Sequence, residues 1–261
     1  MGGKGSLFIT RNVLPPVLFG VLILTLNETR LLHLALGVPE VQLPRMSTIL
    51  RVILENRAKI ARDSWVTIQV FLAGIAIGSA AGFLAALFAA LNPVWGEGGL
   101  VIISAFNAIP IVALSPIMRL WFASSAFAAK TAVVSLVSMV AMSVNVYRGL
   151  TDLKPFSLDL IEAHAGTRAD AFFKLRLPNC LPYIFTALRI NIAAAMIGVI
   201  ISEYFAASVE GLGFVIRNTL RTSQLTVGWA YIFITSLLGI FFFMLVSFLE
   251  RILFRHRGNY Q

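Results

Sequence analysis

The chain has 261 residues, of which 58% are hydrophobic and only 13% are charged. Because a soluble domain usually carries about 25% charged residues, the composition excludes a single water-soluble core and predicts a polytopic membrane protein. The length suffices for about six spans of roughly 20 residues with their loops. We assign the formal net charge of +9 to basic residues at membrane edges that meet anionic lipid, rather than to nucleic-acid binding.

Residues that form disulfides or ligate metals are scarce. The single cysteine, Cys180, excludes an intrachain disulfide and a cysteine-based metal cluster. The three histidines are far apart and show no ligand spacing, so we predict no metal site. The apolar run after the basic N-terminus lacks a small-residue cleavage site, which favours a retained first span over a signal peptide.

Six apolar segments alternate with polar ones along the chain. The predicted spans are 13–36, 64–91, 100–122, 127–147, 181–205 and 227–253. We expect Pro110 and Pro116 to break the third span, because proline leaves backbone carbonyls unpaired. The stretch 92–99, with a proline and three glycines, predicts a short turn.

Two further patterns concern helix packing. Apolar residues recur at helical spacing over 43–60 with charged residues between them, which predicts an amphipathic helix on or beside the membrane. Gly78 and Gly82 form a small-xxx-small pair that permits close packing of two helices, although small residues are also simply abundant in membrane spans.

One polar, charge-bearing stretch, DLIEAHAGTRADAFFKLRLPNCLP at 159–182, separates the fourth span from the fifth. It must lie in water beside the membrane, and we interpret it as a docking element for another protein. Periodicity alone favours an ordinary solvated loop. Six spans place both termini on one side. Basic residues divide ten to eight in favour of cytoplasmic termini, which is a weak bias.

Polar groups inside spans are candidates for a transport route, because burying them in lipid is costly. Glu203, near the outer end of the fifth span, either pairs with a neighbour or faces the outer water. We expect Arg189 to snorkel or pair rather than to contact a solute. The other pathway candidates, each more often an interhelical hydrogen bonder when taken alone, are Asn107, Pro110, Ser138, Met142, Asn145 and Asn191.

Five stretches carry a resemblance to a known family. They are QLPRMSTI (42–49), NAIPIVALSPIMRLWF (107–122), the polar stretch 159–182, RLPNCLPYIFTALRINIAAAMIGVIISEYF (176–205) and EGLGFVIRN (210–218). In this order they resemble inner-membrane permease subunits of bacterial ABC importers, in the branch with nitrate, sulfonate, taurine and pyrimidine-precursor systems. The resemblance implies an all-α membrane protein of about six transmembrane helices. It further implies a single permease domain over 1–261, with a core at 62–254 and a cytoplasmic coupling loop at about 149–180.

In this family the polar stretch resembles the EAA loop, whose coupling helix fits a groove on the ATP-binding subunit. The family glycine usually stands thirteen residues before the proline of the Leu-Pro pair, which here is Ala165 counted back from Pro178, with Gly166 one place later. The acidic position then falls on Asp159, with Glu162 as the second candidate. The coupling residues that the resemblance implies are Asp159, Glu162, Ala163, Ala165, Gly166, Thr167, Arg168, Leu177 and Pro178.

The resemblance also implies cofactors and partners. No GxxxxGK[ST] motif occurs in the chain, so we expect ATP and Mg²⁺ to be bound by partner subunits, with no cofactor and no enzymatic activity in this chain. The expected partners are two ATP-binding subunits, a second permease copy in a homodimer, an extracytoplasmic substrate-binding protein and membrane lipid, without nucleic acid.

The function implied is import of a small polar solute across the bacterial inner membrane by alternating access. The solute is expected to be a pyrimidine-type vitamin precursor or a nitrate-, sulfonate- or taurine-like anion. A stand-alone secondary transporter or channel is the alternative. A membrane enzyme is disfavoured because the sequence lacks clustered His, Asp or Glu residues.

Overall fold

A computed structural model of the chain describes residues 14–205 and 209–254, and the regular structure in these residues is entirely helical. A 3₁₀ turn at Phe106–Ala108 and a π-helical turn at Ala171–Arg176 accompany the α-helices. The α-helices are α1 (Leu14–Glu28), α2 (Leu31–Leu36), α3 (Met46–Glu55), α4 (Arg57–Leu91), α5 (Pro93–Ala105), α6 (Ile111–Trp121), α7 (Ala126–Thr151), α8 (Ser157–Ala163), α9 (Arg168–Asp170), α10 (Leu177–Phe205), α11 (Leu212–Arg221) and α12 (Leu225–Leu253).

Four helices of the described residues are long and apolar enough to cross a membrane. They are α4, α7, α12 and the continuous helix Arg168–Phe205 that contains α10. A fifth candidate is the broken pair Val94–Ala108 and Ile111–Trp121, whose two arms are bent by 102°. Five of the six predicted spans therefore have a matching helix or helix pair.

The first predicted span, 13–36, differs from the prediction. Val13 lies outside the described residues, and α1 has 15 residues, fewer than the roughly 20 that a bilayer core requires. After α1 the chain turns at Arg30, whose φ of 64° is left-handed, before α2 begins.

The polar end of α1 caps another helix. Asn27 Oδ1 accepts a hydrogen bond from the Met46 amide at 3.1 Å, and Glu28 Oε2 accepts one from the Ser47 amide at 3.3 Å. These bonds satisfy the first amides of α3, which have no partner within their own helix. The amphipathic helix predicted over 43–60 is divided at Asn56 between α3 and the start of α4.

Prolines act differently at three positions. Pro110 stands at the bend between the two arms of the broken span, as predicted. Pro116 lies inside α6, which continues through it, so the second predicted break is wrong. The predicted turn at 92–99 is also wrong from Pro93 onward, because this proline starts α5 at a position where a missing amide hydrogen is tolerated.

Two compact units can be distinguished. The first comprises Met1–Ala61 and Val215–Phe233. Within it, the Trp229 indole N–H donates to the Gln42 carbonyl at 2.8 Å. The second comprises Arg62–Phe214 and Ile234–Gln261.

The core of the second unit lies where α4, α7 and α10 cross. A cluster of fully buried apolar side chains there includes Val70, Phe71, Val134 and Val199. A Cβ atom added to Gly78 would lie 2.2 Å from the Ser135 carbonyl oxygen. A Cβ atom added to Gly82 would lie 2.5 Å from the Met139 carbonyl oxygen. The small-residue pair is therefore required by close contact between α4 and α7, which decides between the two interpretations of its sequence.

Candidate functional site

The polar stretch between the fourth and fifth predicted spans is not one loop. α7 continues to Thr151, and the helix that begins at Arg168 runs into α10 without a break. The second half of the stretch, including Leu177 and Pro178, is therefore part of a membrane-length helix. We call residues 152–170 the polar segment.

A tight turn ends α8 inside the polar segment. The Gly166 amide donates to the Ile161 carbonyl and the Ala165 amide donates to the Glu162 carbonyl, both at 2.9 Å. This pair of bonds defines a Schellman motif, in which glycine usually occupies the left-handed position. Here that position is Ala165, with a φ of 51°. A Cβ atom on Gly166 would lie 2.6 Å from Ile161 Cγ2, so the turn excludes a side chain there.

The residue after this turn starts the next helix. Thr167 Oγ1 accepts from the Asp170 amide at 3.2 Å, and Asp170 Oδ2 accepts from the Thr167 amide at 2.9 Å, which is a capping box. Lys174 forms an ion pair with Asp170 at 2.6 Å. Sequence reasoning chose Thr167 but missed Asp170, its partner.

The polar segment exposes both charge and apolar surface. Asp159, Glu162 and Arg168 are exposed, as their predicted contact role requires. The Phe156 side chain is 80% exposed and the Leu160 side chain is 61% exposed. Exposed apolar side chains grouped in an otherwise polar stretch indicate contact with another protein or with membrane.

A cavity of about 400 Å³ lies behind α8. It opens between the ends of α4 and α7 and the polar segment. Its lining residues are Ala90, Tyr147, Thr151, Leu153, Lys154, Phe156, Leu158, Asp159 and Arg176.

At the other end of the helix that contains α10, Glu203 is fully buried. Thr67 Oγ1 lies 3.0 Å from each carboxylate oxygen, and the Gly213 amide donates to Oε2 at 2.9 Å. The Leu212 amide donates to Thr67 Oγ1 at 3.0 Å. Lys130, only 4% exposed, supplies a positive charge that acts on Glu203. Of the two alternatives for Glu203, the structure shows pairing.

We call Glu203, Thr67, Lys130 and residues 211–213 the Glu203 cluster. At positions 211 and 213 the backbone lies so close to Glu203 that only glycine fits. Gly211 has a φ of 104°, and a Cβ atom there would lie 2.4 Å from Glu203 Cδ. The Gly-Leu-Gly segment thereby places the first amides of α11 beside a buried carboxylate. The helix dipole favours negative charge at a helix N-terminus.

Most other pathway candidates lie inside the helical core. Asn191 Nδ2 donates to the Ser138 carbonyl at 3.1 Å and to Ser79 Oγ at 3.3 Å, so Asn191 ties α10 to α7 and α4. Ser138 and Met142 are buried. Asn145, half-buried, donates to a carbonyl of its own helix at 2.7 Å. Of these residues, Asn191 links three helices within one chain, whereas Asn145 bonds within its own helix.

Asn107 and Pro110 are placed differently, on the exposed bend of the broken span. A small cavity of about 70 Å³ adjoins the bend between α6 and α7. Of the predicted pathway residues, these two are exposed in the single chain.

The Arg189 guanidinium forms an ion pair with Glu250 at 3.1 Å between Nη1 and Oε2. Of the two alternatives for Arg189, snorkelling or pairing, the structure shows pairing. Its partner was not predicted, because Glu250 is 61 positions further along the chain and no local pattern connects the two residues.

Residues 74–255 match the family described as binding-protein-dependent transport system inner membrane component. The chain is 33% identical over 187 residues to the formylaminopyrimidine transport permease protein ThiX of Halalkalibacterium halodurans, covering 72% of this chain and 74% of that protein. It is 27% identical over 169 residues to the riboflavin transport system permease protein RibX of Chloroflexus aurantiacus, covering 63% and 61%. A solved amino acid ABC transporter chain, crystallised with histidines, shares the fold with a TM-score of 0.60 at 16% identity, covering 76% of this chain and 96% of that one.

The chain therefore belongs to the family of inner membrane components of binding-protein-dependent transport systems. It is a multi-pass permease subunit of an ABC importer with an all-α membrane fold. ATP-binding subunits and a substrate-binding protein are partners of such permeases, which sets aside the alternative of a stand-alone transporter or channel.

Proposed function

We propose that two copies of this permease form the import pathway for a small heterocycle of the pyrimidine type. The relative at 33% identity is named for formylaminopyrimidine, and the relative at 27% is named for riboflavin, whose ring system contains a pyrimidine. The bend at 104–113 offers an amide and a hydroxyl but no charged side chain. Because anion-selective routes are commonly lined by cations, this composition favours a neutral heterocycle over a nitrate-, sulfonate- or taurine-like anion.

The bend also supports the homodimer. Irregular backbone at membrane depth is tolerated only where protein buries it or where it lines a water-filled cavity. Most residues of the bend, including Asn107 and Pro110, are exposed in a single chain. A second copy that faces the bend across an aqueous route satisfies this requirement, and it places Asn107 and Pro110 beside the solute.

The observation that carries the proposed drive mechanism is the unbroken helix Arg168–Phe205. It begins directly after the turn that ends α8. A displacement of that turn by an ATP-binding subunit is thus transmitted straight into the fifth span. We propose that two ATP-binding subunits grip α8 and the turn, and that ATP binding stabilises one orientation of this helix over the other.

The remaining assignments follow from this arrangement. ATP and Mg²⁺ are bound by the partner subunits, and the permease itself catalyses no reaction. Both termini are cytoplasmic. The cavity behind α8 supports placing the ends of α4 and α7 and the polar segment on one face of the membrane, because its lining joins the three. The position of the N-terminus rests on counting α1 within a sixth span.

The test is reconstitution of the permease with its ATP-binding subunits and binding protein in liposomes. We expect ATP-driven uptake of labelled formylaminopyrimidine and none of nitrate or taurine. Gly166→Asp is expected to insert into the membrane but to lose uptake, because a side chain at this position meets Ile161. Deletion of 159–170 is expected to act in the same way.

The substrate assignment and the coupling assignment are contradicted by different results. Uptake of nitrate or taurine in place of the heterocycle contradicts the substrate assignment and leaves the coupling assignment standing. Normal uptake by Gly166→Asp and by the deletion contradicts the coupling assignment.

A further inference from the structure

The cavity behind α8 has a specific distribution of charge. Arg176 and Lys154 contribute two cations, and Asp159 contributes one carboxylate. The Arg176 guanidinium is anchored by a bond from Nη1 to the Leu150 carbonyl at 3.3 Å, which uses one of its five N–H donors. A guanidinium held in this way is well suited to binding a phosphate group.

The hydroxyl groups of the cavity present acceptors rather than donors. The Tyr147 hydroxyl donates to the Glu97 carboxylate at 3.3 Å, and the Thr151 hydroxyl donates to the Tyr147 carbonyl at 2.8 Å. Their oxygen lone pairs, together with the Asp159 carboxylate, face a ligand as acceptors. The two cations suit a phosphate, and Asp159 favours a phosphate whose neighbouring groups are hydroxyl donors over one without such donors.

The location narrows the ligand further. The cavity lies at the ends of two candidate spans, α4 and α7, where membrane helices pass from hydrocarbon into the headgroup layer. Basic pockets between spans at the cytoplasmic face bind the headgroups of anionic lipids. The exposed Phe156 ring at the rim suits the same interfacial layer, in which aromatic rings are enriched.

We propose that this cavity binds a phosphate ester bearing neighbouring hydroxyl groups, the chemistry of a phosphatidylglycerol headgroup. The phosphate lies against Arg176 and Lys154, and the glycerol hydroxyls donate to Asp159 and its neighbouring oxygens. The bound headgroup holds α8 against the ends of α4 and α7. Anionic lipid thereby tunes the contact of α8 with the ATP-binding subunits, a consequence that rests on the function proposed above.

The experiment places the permease with its ATP-binding subunits in nanodiscs of phosphatidylcholine, with or without phosphatidylglycerol. Retained phosphatidylglycerol is measured by native mass spectrometry, and ATPase activity is measured in parallel. Each of Lys154→Gln and Arg176→Gln is expected to lower the affinity for phosphatidylglycerol about fivefold, the usual contribution of one basic residue near an anionic surface. Arg176→Lys is expected to restore part of it.

Arg251→Gln is the matched control, since Arg251 is an exposed cation near the end of α12 and does not line the cavity. It is expected to retain wild-type affinity. A second arm adds soluble glycerol 3-phosphate. Binding of this compound with the same dependence on Lys154 and Arg176 supports the phosphate site but assigns it to a soluble ligand.

Equal retention of phosphatidylglycerol by the wild type, Lys154→Gln and Arg176→Gln overturns the site. Equal loss in Arg251→Gln also overturns it, because general attraction of lipid to cations then explains the result. Either outcome concerns lipid binding alone. The proposed function is tested separately by ATP-driven uptake in liposomes, so failure of the lipid site is distinguishable from failure of the function.

Discussion

Charged side chains are buried and paired at one end of the helix Arg168–Phe205 and exposed beside its other end. At one end, Glu203 is enclosed by donors from α4 and from the first turn of α11, and Lys130 acts on it. At the other end, Asp159, Glu162 and Arg168 project from the polar segment into solvent. Charges of the first kind are satisfied within one chain, whereas those of the second kind are available to a partner.

This contrast separates stability from coupling. Removing one partner of a buried charge leaves the others uncompensated and destabilises the fold by several kcal/mol, whereas exposed charges contribute little to stability. Substitutions in the Glu203 cluster should therefore act first on folding. Substitutions in the polar segment should act on association with ATP-binding subunits and leave the fold intact.

The largest effect is expected for Glu203→Ala. The change removes the acceptor for the Gly213 amide and the negative charge that acts on Lys130, and it leaves the Thr67 hydroxyl with only the Asp63 carbonyl at 3.2 Å. We expect a loss of about 3–5 kcal/mol in the free energy of unfolding, measured by denaturant titration in detergent micelles. Glu203→Gln keeps an acceptor for both donors and should lose about half as much.

An unfolding curve for Glu203→Ala that matches that of the wild type, together with loss of uptake, would contradict the stabilising role of the Glu203 cluster. The Glu203 cluster would then contact something during transport rather than hold the fold.

Local sequence signals predicted the spans well and the contacts between them poorly. Apolar length and proline positions located five spans and the bend at Pro110. Thr67 stands 136 positions from Glu203, and nothing in the periodicity of either helix indicates that they meet. The capping of α3 by Asn27 was missed for the same reason, since the residue reads locally as the end of a span.

The polar segment shows how one local signal misleads. Leu177-Pro178 has the pattern of a helix boundary, yet the helix continues through it. The π-helical turn just before it bonds residues five apart, as in the bond from the Leu177 amide to the Phe172 carbonyl. This turn accommodates a proline that lacks an amide hydrogen. The small-residue centre of the segment followed from the family resemblance, and the structure supplies its geometric reason.

A second prediction concerns the exposed face of α8. Leu160→Ser should weaken association with the ATP-binding subunits about tenfold, because apolar anchors carry much of the binding energy at interfaces. The free energy of unfolding should change by less than about 0.5 kcal/mol, as for most surface substitutions. Affinity is measured by titrating purified ATP-binding subunits onto permease in nanodiscs.

Leu158→Ser is the matched control on the same helix. Leu158 is half-buried and lines the cavity behind α8, so its loss should lower the melting temperature. Unchanged affinity for Leu160→Ser would show that the subunits do not contact this face.

The smallest expected changes in stability are those of two alanine-to-glycine substitutions within the polar segment, and they have opposite signs. Ala165 has a left-handed φ of 51°, which glycine adopts without strain, so Ala165→Gly should stabilise the turn by up to about 1 kcal/mol. Ala163 is helical, and Ala163→Gly should destabilise α8 by a similar amount, about 1 kcal/mol. Hydrogen exchange of the α8 amides in the assembled transporter should therefore slow in the first variant and quicken in the second, by up to about fivefold in each case.

The opposite signs make this pair informative about register. Counting back from Pro178 places the family glycine at Ala165, and the Schellman turn independently requires a left-handed residue there. Faster exchange in both variants would mean that position 165 is right-handed in the assembled transporter. The coupling turn would then be centred on Gly166 rather than on Ala165, and the register that makes Asp159 the acidic contact of α8 would fail, because the same offset would fall on Leu160.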